Sequence, residues 1–415
     1  MIKLMVKCSV LLSSIRIGDI SIRVKNLSLF YINILIIILL IYFMIVKNEG
    51  KIRINYYVMK KYSLQFFAIW LIYAIVSIGW VKDYALWFRA CCFLALANIC
   101  IIIICMFFRT SDDILTAFRL MTIMTMMHNI VGWYEVFTGN YLFLPINRIA
   151  TYSTEKYPVS MFYNTNDYAT FMLFSIFFAY ICAVNSGNRF NKLLYGGTIL
   201  SSITLLVMTS SRANIAGLIM AIFGLIYFSL KNRKWIIPLF LFLTLLFIPD
   251  SMSNIILTIK SHLDFSQNTG SNFVRLNLIK NGFCFLLSTY GFGTGAGNIE
   301  YWMNNYAVFD TGGILNMHNW WMEILAGYGI IVFSLYILFY CKLFRDMYRV
   351  YRTFENKKDK SISLGVMCIM VGYIIGSISS SSNISAEWLW VFWGISIAFQ
   401  GICSKKMKNK YVVIN

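Results

Sequence analysis

The stretch from Tyr290 to Gly329, YGFGTGAGNIEYWMNNYAVFDTGGILNMHNWWMEILAGYG, holds the residues of this chain best suited to chemistry. It is polar and glycine-rich, and it delivers His318, Asn319 and Glu323 to the mouth of an apolar segment. A neutral imidazole so placed can take a proton from a hydroxyl, which makes His318 the candidate base. If Asn316 caps the helix that follows, His318 falls in its first turn. Free backbone N–H groups there would attract an anion and depress the imidazole pKa. Asn319 and Glu323 share a helix face at i, i+4, with Glu323 nearly a turn deeper and placed to orient a neighbour. No second His or Cys stands at zinc-ligand spacing, so no metal is expected. His128, in the middle of an apolar run, reads as structural.

Arginines supply the complementary chemistry. Arg212 sits in Thr209-Ser210-Ser211-Arg212-Ala213-Asn214, a turn of a few residues between two apolar runs. Its guanidinium offers a fixed fork of donors suited to phosphate oxygens; the competing reading is an arginine that merely snorkels to an interface. Arg275 lies in an alternating apolar and polar stretch, Ser271 to Leu287, that reads as an amphipathic helix lying on a membrane. Lys280, in the same stretch, reads as a headgroup contact. Arg89 and Arg119 fall inside apolar runs, where charge is costly and marks function by default. Arg89 is near the end that suits a phosphate ligand, and Arg119 near the end from which it can snorkel. Asn164, Asn166 and Asp167 cluster where another apolar run begins; one can cap the helix and the cluster suits a cavity lining. The run Gly291-Phe292-Gly293-Thr294-Gly295-Ala296-Gly297-Asn298 lacks the strand before it and the GK[ST] ending of a nucleotide loop. It reads as a loop folded tightly over the helix mouths.

These residues need a scaffold, and composition names it. Of 415 residues, 59% are hydrophobic and only 13% charged, with a mean hydropathy of +0.69. A soluble multidomain enzyme is excluded. Apolar runs of near-spanning length lie at 27–47, 63–81, 85–107, 114–137, 161–184, 193–209, 213–230, 235–249, 317–341, 362–380 and 386–403, against the roughly 20 residues a span needs. A short segment near Leu4–Ser14 would supply a partial twelfth. The expectation is an all-α, polytopic transmembrane bundle of about 11–12 spans, one integral membrane domain over 1–415 with a large loop at 250–316. Lys and Arg are about three-fold more numerous in one set of alternate loops, including 342–360 and the tail, than in the other. The depleted set holds Lys82, Arg148, Lys156, Arg212, Lys260, Arg275 and Lys280. That asymmetry puts the loops 138–160 and 250–316 outside the cytoplasm. The ten cysteines lie mostly in apolar runs and suggest no disulfide framework. Residues 1–14 lack the core and cleavage site of a signal peptide.

The chain resembles the O-antigen ligase and O-antigen polymerase superfamily. The resemblance rests on FxNxND at Phe162–Asp167, TSSRAxxxG at Thr209–Gly217, Arg275 ahead of the glycine-rich loop, and HNxxxExxAxYG at His318–Gly329; it covers roughly residues 60–400. It implies about twelve membrane helices, an undecaprenyl-pyrophosphate-linked oligosaccharide as donor and transfer without metal or cofactor. Arg212, Arg275 and His318 are the residues it implies as essential. It also implies a bacterial cytoplasmic membrane, an active site on the extracytoplasmic side, polysaccharide-assembly proteins as partners and no nucleic acid. Polymerase and ligase differ only in the acceptor, and both stay open. A flippase for the same lipid is the rival of another class; it would call for polar residues through mid-membrane and repeated halves.

Overall fold

The computed structural model describes residues 2–13, 21–24, 27–30, 62–144, 146–162, 164–230, 271–380 and 383–414. Thirteen helices and one small hairpin are found among them. The chain opens with α1 (Ile2–Leu12) and an antiparallel hairpin, β1 (Ser21–Val24) with β2 (Leu27–Phe30). It continues through α2 (Tyr62–Val76, extended by a 3-10 turn to Gly79), α3 (Tyr84–Phe107), α4 (Ser111–Thr138) and the short α5 (Ile146–Ser153). Then come α6 (Thr165–Val184), α7 (Arg189–Met208), α8 (Arg212–Ser229), α9 (Ser271–Ser288) and α10 (Ile299–Tyr306). The last three are α11 (Trp320–Thr353), α12 (Lys357–Gly376) and α13 (Glu387–Ile414). Eight of these helices, from α2 to α4, α6 to α8, α11 and α12, are long and apolar enough to cross a membrane. The protein is a helical polytopic membrane protein.

Local chemistry sets the helix starts. Asp83 caps α3 by accepting from Ala85 N and Leu86 N at 2.8 and 3.0 Å. Thr110 and Asp113 form a reciprocal capping box at α4, and Gly139 ends that helix in the left-handed region at φ 70°. Asn164, Asn188, Asn319 and Asn356 cap α6, α7, α11 and α12. Short side-chain acceptors at these positions satisfy backbone donors that have no partner within the helix.

Successive helices alternate in direction, which sorts the turns onto two ends. One end, the rim, gathers the α2–α3 turn, residues 139–164, the α7–α8 turn, residues 271–319 and the α12–α13 segment. Its cross-links include Ser211 to Asn166, Trp320 to Ser377 and Asn298 to Asp83. The base gathers the turns at 108–110, 185–188 and 354–356, tied by Asn185 to Ser361 and Lys358 to Asp112. α8 and α12 approach through glycine: a Cβ on Gly217 would lie 2.6 Å from the Gly372 carbonyl oxygen. Backbones can meet that closely only through small residues, the usual solution for helices in lipid. Aromatic rings fill the interior, where Trp320 donates from Nε1 to the Tyr336 hydroxyl at 3.1 Å beside buried Trp70 and Phe66.

Most expected spans coincide with helices to within a few residues, and α9 forms where an amphipathic helix was expected. α11 runs past its expected span to Thr353 and is two helical pieces that fold back on each other, Trp320 reaching the Tyr336 hydroxyl at 3.1 Å. At its Gly329 the backbone leaves helical geometry (φ 76°, ψ 179°). One expectation at the N-terminus is corrected. Leu27–Phe30 is a strand rather than the start of a span, because Ser and Arg alternate with apolar residues across the hairpin at a period of two. The segment near Leu4–Ser14 is a helix of 11 residues, about 16 Å, the length of a partial span and not of a full crossing of about 30 Å. It packs beside α3 and α4, with Lys3 paired to Asp113 at the base. The remainder of the span expected at 27–47, the span at 235–249, and loop residues 250–270 with Lys260 and His262 lie outside the described residues.

Candidate active site

The α7–α8 turn is built around a left-handed serine. Thr209 closes α7 by donating from Oγ1 to the Leu206 carbonyl at 2.6 Å, and Ser210 turns the chain at φ 56°. Ser211 occupies the cap position of α8, yet its hydroxyl donates to Asn166 Oδ1 at 2.8 Å and caps nothing. α8 therefore begins with uncapped backbone N–H groups, and Arg212 is its first, exposed residue. A guanidinium beside an open helix N-terminus is a strong setting for an anion. Asn214, one turn on and fully buried, donates from Nδ2 to Ser211 Oγ at 3.0 Å and to Ser379 Oγ at 3.1 Å. Three rim segments are thus fastened beneath Arg212.

The entry to α11 differs from expectation. Asn319, not Asn316, is the cap: its Oδ1 accepts from Trp321 N and Met322 N at 3.1 and 3.2 Å. Trp320 N donates to the Ser377 carbonyl at 3.0 Å. The N–H groups of α11 are consumed, so the open helix N-terminus belongs to α8. The reason is geometric. His318 lies before the cap in the left-handed region at φ 46°, a conformation a non-glycine residue adopts at about 1–3 kcal/mol of strain. Burial holds the His318 imidazole pKa below its ordinary value. Asp167 opposes that shift, Arg275 reinforces it, and the Ser379 backbone opposes it as a hydrogen-bond acceptor. Nδ1 is buried without a hydrogen-bond partner.

Arg275 reaches the same place from α9. Asn277 and Asn281 fasten that helix to the loop ahead of His318: Asn277 donates to the Asp310 carbonyl at 2.8 Å, and Asn281 accepts from Val308 N and Phe309 N at 2.9 Å. The Arg275 pKa is lowered first by burial and then by the charge of Arg212. Arg212, Arg275, His318 and Asp167 are therefore electrostatic neighbours, although they come from α8, α9, the α11 entry and α6. Among the described residues neither arginine makes an ion pair or a side-chain hydrogen bond. Asn166 bridges to the Arg212 turn through Ser211, and Asp167 accepts from Asn164 Nδ2 at 2.7 Å.

Arg89 and Glu323 are placed elsewhere. Both line a separate cleft between α3, α10 and α11, which none of Arg212, Arg275 and His318 lines. Lys280 stands over the Phe309 ring at 5.1 Å, and His128 is fully buried with Nδ1 3.0 Å from Ser160 Oγ. The glycine-rich loop is the folded loop expected of it. Thr294 N and Gly295 N donate to the carbonyls of Ala326 and Gly327 at 2.8 and 2.9 Å, and Ile330 N donates to Gly291 O at 2.9 Å. α11 frees those carbonyls by breaking at Gly329. Asn298 then pins the loop to the α2–α3 turn, accepting from Asp83 N at 2.8 Å.

Sequence reasoning missed Asn214, Ser379, Asn281 and Asn298, each a buried polar side chain that fixes a neighbour of the site. Their one signal was a polar residue at the mouth of an apolar run or inside the glycine-rich loop. Ser379 belongs to the serine-rich run at 377–382.

A multi-pass helical protein with cationic and imidazole groups gathered at one rim is the class these observations define. Residues 197–337 match the O-antigen ligase family, a stretch that contains Arg212, Arg275 and His318. Over 367 residues the chain is 31% identical to the teichuronic acid biosynthesis protein TuaE of Bacillus subtilis (strain 168), covering 86% of this chain and 75% of that protein. The chain belongs to the O-antigen ligase family.

Proposed function

We propose that this protein is a glycosyltransferase of the bacterial cytoplasmic membrane that polymerises a cell-surface polysaccharide from an undecaprenyl-pyrophosphate-linked oligosaccharide. The observation that carries the reading is the convergence at one rim of two arginines without an ion pair among the described residues and a partly buried histidine, beside a helix N-terminus with no side-chain cap. Family membership and the relative named for teichuronic acid biosynthesis support a role in envelope polysaccharide assembly. Ligase-type transfer to a lipid, teichoic-type or protein acceptor is the second reading, which the family description favours.

In the proposed step Arg212 and Arg275 hold the pyrophosphate. An acceptor hydroxyl attacks the anomeric carbon, the new C–O bond forms as the bond to the pyrophosphate oxygen breaks, and the electron pair leaves with the lipid pyrophosphate. The arginines and the α8 N–H groups stabilise that growing charge. The hydroxyl proton passes to His318, whose lowered pKa keeps it unprotonated near neutrality. In-line attack inverts the anomeric centre. Pyrophosphate is a good leaving group, so the chemistry needs no metal.

Purified full-length protein in lipid, given the lipid-linked oligosaccharide and EDTA, should elongate it, and His318→Ala should lower turnover by roughly 10²–10⁴-fold while donor binding survives. A His318→Gln protein that works nearly as well, or activity lost on adding chelator, would overturn the mechanism. The rim faces away from the cytoplasm in this reading. A cysteine at Gly312 should react with impermeant maleimide in cells with a permeable outer envelope, and one at Asn356 should not; the reverse pattern would invert the orientation.

A further inference from the structure

Two cavities adjoin along α3. The upper, of about 100 Å³, opens at the rim between Arg89, Glu300, Asn316, Glu323 and Tyr328. The lower, of about 70 Å³, is largely apolar and is walled by Ala97, Cys100, Ile104, Trp390 and, from the end of α1, Ser13, with Glu387 also on its lining. Phe93, Ile384 and Ser385 line both. From Leu86 in the upper cavity to Ile104 in the lower is about 27 Å along the helix, close to the ~30 Å thickness of a hydrocarbon core. The pair therefore grades from charged to apolar along the membrane normal.

The polar part holds groups with unused capacity. Among the described residues Arg89 forms no ion pair and meets the Phe93 ring, with the guanidinium 5.8 Å from the centroid. The Tyr328 hydroxyl lines the cleft, is 3% exposed as a residue, and has no hydrogen-bond partner. A buried hydroxyl left unpaired carries a desolvation cost that a ligand can recover. Carboxylates and an amide beside a guanidinium suit sugar hydroxyls next to a phosphate.

We propose that this seam is a second lipid-saccharide site, for a phosphate-linked acceptor. Arg89 takes the acceptor's phosphate, Glu300, Glu323 and Asn316 take sugar hydroxyls, and a single lipid chain lies in the groove beneath. The proposal rests on the reading that Arg212 and Arg275 hold the donor. It adds that the acceptor is itself a lipid phosphate, as chain polymerisation requires. The narrow groove favours one chain over the two of a phospholipid. α1, which ends about halfway across the membrane, supplies its floor through Ser9 and Ser13.

The test is a count of bound lipid by native mass spectrometry. Full-length protein in phosphatidylcholine nanodiscs is given undecaprenyl-pyrophosphate-linked N-acetylglucosamine. Wild type should bind two equivalents, and Arg89→Gln one. Ala97→Phe and Leu96→Trp, at residues that line only the lower cavity, should each also bind one; the second guards against misfolding of the first. An unchanged count in Arg89→Gln and both groove variants overturns the proposal. So does loss of the second equivalent when phosphatidylglycerol replaces phosphatidylcholine, since the groove would then be an ordinary phospholipid site. If Arg212→Ala retains two equivalents while the groove variants lose one, the donor reading fails and this site stands.

Discussion

The two ends of the bundle treat charge in opposite ways. At the base, carboxylates are paired with lysines: Lys406 bridges Asp359 and Ser111 at 2.7 and 2.8 Å, Lys358 pairs with Asp112 and Lys3 with Asp113. At the rim, Arg212 and Arg275 stand near each other with no carboxylate in ion-pair range among the described residues. Backbone strain follows the same division. All five non-glycine residues with left-handed φ among the described residues, Lys156, Ser160, Ser210, Tyr290 and His318, are on the rim side. Matched pairs fasten helices, whereas like charges held together repel and favour an anion between them. The base ties carboxylates to lysines, and the rim holds two arginines outside ion-pair range of any carboxylate among the described residues.

The sharpest break of that contrast is at Arg212. Arg212→Ala should abolish chain assembly, a loss of about 10³-fold or more, while the protein still inserts and accumulates. Arg212→Lys should rescue only in part, because a point charge cannot reproduce the bidentate fork. Full activity in the alanine variant removes Arg212 from the site, and full activity in the lysine variant shows that charge alone suffices.

Lys406→Met at the base should do the converse. It strands the carboxylate of Asp359, which is 1% exposed. The cost should be about 2 kcal/mol, between the values for exposed and fully buried pairs, because Lys406 itself is partly exposed. Thermal unfolding in detergent would show the shift, with turnover per folded molecule unchanged. A fall in turnover without a loss of stability would erase the distinction between the ends.

The smallest effect is on pH dependence. Because the folded pKa of His318 is depressed, the acid limb of the rate profile should lie below the ordinary ~6.5. Arg275 pushes the pKa down and Asp167 pushes it up. Arg275→Gln should therefore move the limb to higher pH and Asp167→Asn to lower pH, measured on residual activity. Shifts in the opposite directions would remove His318 as the titrating group.

Much of this was legible in the residues. Hydropathy located the spans because each span is a local run, and basic residues separated the two ends because their bias accumulates loop by loop. The glycine-rich loop could be read as packing rather than nucleotide binding, since its spacing lacked the strand and the lysine. Arg212, Arg275 and His318 stood out as charges or titratable groups at span mouths. The cap of α11 was misread because Asn316 and Asn319 are equally good caps on paper; the left-handed turn at His318, held by Trp320 N on the Ser377 carbonyl, selects Asn319.

What the sequence determined by itself was therefore the membrane class, the position of the described spans and the set of residues available for chemistry. Tertiary structure decided the partition of that set. Arg89 and Glu323 share one cleft, while Arg212, Arg275, His318 and Asp167 share another place, and no spacing rule separates them. The choice depends on contacts between distant residues, such as Ser211 with Asn166 and Asn214 with Ser379, and on two helices meeting at Gly217 and Gly372. Periodicity and charge are properties of neighbouring residues in the chain. Which helix mouths face each other is a property of how backbones pack, and that is fixed only when small residues let them touch.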